Sequence, residues 1–140
     1  MAKFKRYSGI IIKDNDKVLL CKRSPDESMP NTWSIPSGMI ENDETPVEAA
    51  LREFNEETNV VLPNELKLVG FINKYDKDKT TKRGLIYVYL HETSEKITPN
   101  LKKAKDGHEH SKCGYFSVKD LPFDKKNDQL EEIIKKVLKK

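Results

Sequence analysis

The stretch that most constrains this chain runs from Gly38 to Val60, because it crowds carboxylates onto a segment whose other signals read as helix. Thr45, Pro46 and Glu48 have the form of a helix start: a hydroxyl N-cap, a proline at the first helical position, and a glutamate placed to close a capping box. Asn59 tolerates the left-handed backbone that commonly ends helices, so the spacing predicts a helix from Pro46 to Thr58. At about 100° per residue, Val47, Ala50, Leu51, Phe54 and Thr58 share one face, while Glu53, Glu56 and Glu57 gather on another.

Like charges three or four residues apart each cost a helix roughly 0.2–0.5 kcal/mol, and glutamates near its C-terminal end also oppose the helix dipole. A hard divalent cation such as Mg²⁺, which prefers carboxylate and phosphate oxygens, would offset that repulsion. For Glu56 and Glu57 alone, a solvated helix face is the plain alternative. The wider pattern weighs against it: Gly38, Glu44, Arg52, Glu53, Glu56 and Glu57 at these spacings arise by chance on the order of once in ten million registers. Together these residues resemble the Nudix box, G-x5-E-x7-R-E-U-x-E-E-x-G-U with U apolar, and Asn59 stands where the family has its second glycine. The resemblance implies an α/β/α sandwich with a mixed β-sheet between helices, extending over a single domain at residues 1–140. It also implies that Glu53, Glu56 and Glu57 bind catalytic Mg²⁺ or Mn²⁺, with Gly38, Glu44 and Arg52 orienting them from behind.

The net charge of +3 hides an asymmetry: the box carries −6 and the remainder +9. A basic frame around an acidic centre would draw a polyphosphate toward it. Cys21 and Cys113 lie far apart in sequence, with no closely spaced partners, and are expected to be buried, reduced thiols. The apolar run after the basic N-terminus, Gly9 to Ile12, is too short for a signal-peptide core or a membrane span, so a cytoplasmic protein with no membrane partner is expected.

Along the chain, Ser8 to Ile12 and Val18 to Cys21 read as a hairpin around a polar turn. Lys22 and Arg23 follow where a strand opens into a loop, and Arg23 is the better phosphate contact because its guanidinium binds in a bidentate fork. Trp33, in a run Trp33-x-x-Pro36-x-Gly38 similar to the family's approach to the box, is expected to pack. Leu66 to Tyr75 and Leu85 to His91 read as a second hairpin, on which Tyr75, Tyr87 and Tyr89 are candidates for holding a base or sugar. Thr93 to Lys112 is the least structured part. Its His108-Glu109-His110 cluster is a weak zinc signal, since no third ligand is spaced nearby. The segment from Glu109 to Pro122 is similar to one in which the family places a glutamate before the last core strand, so by resemblance Glu109 is a further metal ligand or the water-activating base. Asp128 opens a terminal packing helix.

The activity that the resemblance implies is divalent-metal-dependent cleavage of the diphosphate linkage of a nucleoside diphosphate derivative, such as ADP-ribose, a dinucleoside polyphosphate or a nucleotide sugar. The partner is then a nucleotide-derived small molecule, contacted through Arg23, Tyr75 and Tyr87. The alternatives are a hydrolase of oxidised nucleoside triphosphates or RNA 5′ ends, and a Nudix-like nucleotide-binding module without catalysis.

Overall fold

The structure is a computed structural model that describes residues 3–123 and 128–139; residues 1–2 of the basic N-terminal run and the last of the closing lysines lie outside this range. Its organising strand is β1 (Lys5–Asp14), whose β-branched centre Ile10, Ile11 and Ile12 is fully buried. Along one edge β1 pairs in parallel with β6 (Lys82–Thr93), which pairs antiparallel with the edge strand β5 (Lys67–Tyr75). The other edge of β1 is divided. Its N-terminal half takes β4 (Ser37–Met39), and its C-terminal tip turns into β2 (Lys17–Arg23). Beyond that tip β2 pairs with β3 (Trp33–Ser34) and with β7 (His110–Phe116).

The two-residue period of a strand sorts this mixed sheet into two covered faces. Helix α1 (Pro46–Thr58) lays Ala50 and Phe54 over Ile10, Ile12, Leu19 and Tyr89. Helix α2 (Asp128–Leu138) lays Leu130, Ile133 and Ile134 over Ile11, Leu20, Val88 and Leu90. The buried Lys13 ammonium crosses to the end of α2 and donates to the Val137 carbonyl at 2.9 Å, satisfying an acceptor that the helix leaves open. The edge of β5 is closed in part by Gln129, which accepts from the Asn73 N–H at 2.8 Å and donates to its carbonyl at 2.9 Å. No described helix is long and apolar enough to cross a membrane.

Two expectations change. Cys21 and Cys113 are joined in a disulfide rather than free as thiols, because the antiparallel register of β2 and β7 sets them directly opposite each other. The segment after β6 is more ordered than its composition predicts: a 3-10 turn spans Gly107–Glu109 and β7 starts at His110.

Candidate active site

The carboxylates are held by chemistry local to α1. At its start the Thr45 hydroxyl accepts from the Glu48 N–H at 3.1 Å and the Glu48 carboxylate accepts from the Thr45 N–H at 2.8 Å, the reciprocal pair expected of a capping box. At its end Asn59 is left-handed, φ 64°, and its N–H donates to the Asn55 carbonyl at 2.8 Å. Two backbone bonds then tie this last turn to the segment before β7: Asn100 N–H to the Thr58 carbonyl at 2.8 Å and Asp106 N–H to the Glu56 carbonyl at 2.6 Å.

Arg52 gathers the box. Its Nε and Nη2 grip Glu44 at 2.6 and 3.0 Å, Nη2 also reaches the Met39 carbonyl at 3.0 Å, and Nη1 donates to Glu53 at 2.9 Å and Glu56 at 3.1 Å. This fork holds the Glu44 carboxyl below its usual range against the opposing effect of burial. Gly38 makes room from the sheet side: a Cβ there would overlap the Glu53 carboxyl. Lys105 approaches the other oxygen of Glu56 at 3.7 Å.

Glu57 is the deepest of the three acids, 2% exposed, with Oε1 at 2.7 Å from His110 Nε2. Burial first, then the hydrogen bond and charge of Glu53 and the charge of Glu109, push its carboxyl up to about 10, with Arg23 pulling weakly the other way. Burial and the Arg23 charge lower His110 to about 4. The contact is therefore a neutral one, a protonated Glu57 donating to imidazole, rather than an ion pair. Glu57 Oε2 and His110 Nδ1 are buried without a partner.

Glu109 joins the cluster from the 3-10 turn. Ser24 fixes that turn, donating its N–H to the Glu109 carbonyl at 2.9 Å and its hydroxyl to the His108 carbonyl at 2.6 Å. Burial, Asp106, Glu27 and Glu53 raise the Glu109 carboxyl above its ordinary value. Arg23 lies within electrostatic reach of Glu57, but its guanidinium is engaged with the loop after β2, donating to the Ser28 carbonyl at 2.6 Å and hydroxyl at 3.0 Å.

The three candidate tyrosines have contacts of their own. Tyr87 meets Phe71 edge-on at 5.3 Å and accepts from Arg6 at 3.5 Å, Tyr75 is 43% exposed at the end of β5, and Tyr89 is buried beneath α1. His108 and His110 do not converge, because only His110 is buried against Glu57. The sequence reading missed His110 as the partner of Glu57 and Lys105 as the partner of Glu56; neither has a local signature, since both pairings follow from the docking of the segment before β7 on α1.

Among the described residues no three His, Cys, Asp or Glu side chains converge on one point as a finished metal cage. The donor set nevertheless fits a hard divalent cation. Glu57 keeps a buried oxygen without a partner, and the neighbouring Glu53 and Glu109 charges disfavour its ionised form, so a cation replacing the Glu57 proton would satisfy the oxygen and offset the repulsion.

Mixed sheet, two covering helices and a box of this geometry define a Nudix-type α/β/α sandwich. Residues 3–138 match the family model described as NUDIX domain, and the chain belongs to that family. Among solved structures it superposes on a MutT NUDIX hydrolase from Burkholderia pseudomallei with a TM-score of 0.76 at 22% identity, covering 93% of this chain and 97% of the other. It is 33% identical over 114 residues to an ADP-ribose pyrophosphatase of Methanocaldococcus jannaschii, covering 81% of this chain and 62% of the relative. It is 37% identical over 60 residues to an 8-oxo-dGTP diphosphatase of Escherichia coli, covering 43% of this chain and 46% of the relative. The chain thus spans about half to three fifths of the length of these two relatives.

Proposed function

We propose that the chain is a divalent-metal-dependent pyrophosphohydrolase that cleaves the diphosphate linkage of a nucleoside diphosphate derivative, such as ADP-ribose, a dinucleoside polyphosphate or a nucleotide sugar. The observation that carries this reading is the buried, orphaned oxygen of Glu57, on a helix face that also bears Glu53 and Glu56 and with Glu109 within electrostatic reach. A group of acids this repulsive and this buried costs stability in the absence of a ligand, and a purely structural helix gains nothing from it.

Glu53, Glu56 and Glu57 would hold Mg²⁺ or Mn²⁺, which when bound polarises phosphoryl oxygens and lowers the pKa of water. Arg52, anchored by Glu44 and the Met39 carbonyl, keeps Glu53 and Glu56 facing the site. Glu109 accepts the proton of the attacking water as the new oxygen–phosphorus bond forms, and the bridging oxygen leaves with the departing phosphate. Its raised carboxyl is a better base near neutral pH than an ordinary glutamate. Arg23 stands beside this site for the substrate phosphates, with its position set by Ser28. The 33% identity to an ADP-ribose pyrophosphatase over most of this chain supports ADP-ribose as one member of the substrate class.

The test is a screen of ADP-ribose, dinucleoside polyphosphates, NADH, FAD, nucleotide sugars and nucleoside triphosphates with Mg²⁺ or Mn²⁺. Release of a nucleoside monophosphate from at least one, abolished by chelation, is the expected result. Nucleotide binding without turnover of any would replace this reading with that of a binding module.

A further inference from the structure

The Cys21–Cys113 disulfide lies one step along the sheet from the site. Alternate residues of a strand share a face, and on the α1 side of β2 and β7 the row of Leu19 with Tyr115 is followed by that of Cys21 with Cys113. The next pairing, past a bulge at Lys22, is Arg23 with His110, whose imidazole meets Glu57 of α1 at 2.7 Å. Cys113 itself packs against the core that α1 lays over Ile10, Ile12 and Leu19.

Strand β7 is held from one side. Among the described residues it pairs with β2 and with no other strand, and its start is otherwise fastened by the Ser24 bonds to Glu109 and His108 and by the His110–Glu57 contact. The disulfide draws this edge strand in: the Cα atoms of Cys21 and Cys113 are 4.0 Å apart, closer than the about 4.5–5.5 Å of facing residues in an antiparallel ladder. Two thiols meet only at non-bonded distance, about 3.5–4 Å between heavy atoms, and so need the wider spacing. Cys21 is fully buried on β2, which β1 and β3 flank on its other side, so the strand free to yield is β7. Its outward movement carries His110 and Glu109 away from α1, because a close-packed interior transmits such a shift. Cys113, partly exposed, is the half of the bond that a reductant can reach.

We propose that Cys21 and Cys113 form a redox switch on the box: the disulfide holds β7 against α1 in the geometry that receives the metal, and reduction by a dithiol slackens it. The inference rests on the hydrolase reading for what a metal does at the box. In the exchange, one thiolate of the dithiol attacks the Cys113 sulfur, and Cys21 leaves as a thiolate that takes up a proton. The second thiol of the reductant then displaces Cys113, leaving two protein thiols and one oxidised dithiol. With β7 released, His110 withdraws from Glu57 Oε1, and a carboxylate placed to ligate the metal loses the partner that orients it. Linkage makes the effect reciprocal: the factor by which reduction weakens metal binding is the factor by which bound metal resists reduction.

The test compares the oxidised full chain, the same protein after dithiothreitol treatment and desalting without oxygen, and the Cys21→Ala/Cys113→Ala double variant. Thiol titration should find neither cysteine free before reduction and both free after it. Mn²⁺ affinity, followed by the electron paramagnetic resonance of the free ion, should weaken about 10-fold in the reduced protein and in the double variant, and recover on reoxidation of the wild type. Hydrogen exchange of the β7 amides, measured without metal, should quicken about 10-fold in the same two forms. Saturating Mn²⁺ should raise, by the factor seen in affinity, the ratio of reduced to oxidised dithiothreitol needed for half-reduction. Equal Mn²⁺ affinity and equal exchange in oxidised and reduced wild type overturn the switch, as does a dithiothreitol effect of the same size on the double variant. A difference in Mn²⁺ affinity between the two wild-type forms, with no turnover of any substrate by either, retains the switch and overturns the hydrolase reading.

Discussion

Replacing Glu57 by Gln should flatten the pH dependence of stability of the metal-free protein. In the unfolded chain this carboxyl loses its proton near 4.5, whereas in the fold it keeps it to about 10. Between those values the folded state holds one more proton than the unfolded, so stability falls as pH rises, by about 1.4 kcal/mol per unit. His110 acts with the opposite sign over a lower window. Its folded value near 4 lies below the ordinary 6.5, so the unfolded chain holds the extra proton there and stability rises between those limits. The two slopes largely cancel up to pH 6.5, and the fall due to Glu57 is exposed above it. From pH 7 to 9 the metal-free wild type should lose about 3 kcal/mol, roughly 6–12 °C in Tm for a chain of this size. The glutamine amide can still donate to neutral His110 but has no proton to lose, so Glu57→Gln should show little slope. Adding Mg²⁺ or Mn²⁺ at pH 8.5 should raise the Tm of the wild type and leave that of Glu57→Gln nearly unchanged. The assay is thermal denaturation followed by circular dichroism across that pH range in chelator and in metal. Parallel curves for the two proteins would refute the assignment of a retained proton to Glu57.

Three further outcomes follow from the site geometry. Asn59→Val, at φ 64°, should cost about 1–2 kcal/mol in urea denaturation and lower activity by disturbing the last turn of α1, while Asn59→Gly should be nearly neutral. Gly38→Ala should displace the Glu53 carboxyl and lower kcat, with a stability loss of about 1–3 kcal/mol from overpacking. Glu109→Gln should cut kcat by about 10²-fold or more with little change in KM or Tm, and the loss should shrink at alkaline pH where hydroxide is abundant; unchanged kcat would move the base elsewhere.

Helix α1 was legible to the residue because its ends are set by local chemistry: Thr45 and Glu48 at one end, Asn59 at the other. Strand lengths were less so. β1 runs from Lys5 to Asp14 rather than Ser8 to Ile12, since pairing with β6 extends through polar residues that carry no strand signal. The Cys21–Cys113 disulfide depends on the register of two strands 92 residues apart, which composition cannot supply. Within the site, the spacing of Glu53, Glu56 and Glu57 was readable and the depth of Glu57 was not, because burial comes from β7 and the turn before it rather than from the helix.

The most direct test of the central claim is the turnover of the best substrate by Glu56→Gln in saturating Mg²⁺ or Mn²⁺, with Tm measured on the same preparation. Glu56 suits this test because its side chain is 19% exposed and, among the described residues, is held by Arg52 and Lys105 alone, so its loss leaves the core packing intact. A fall in kcat of about 10²-fold or more at unchanged or raised Tm is the predicted result. Turnover at the wild-type rate would contradict it, and would mean that the carboxylate face of α1 takes no part in the chemistry.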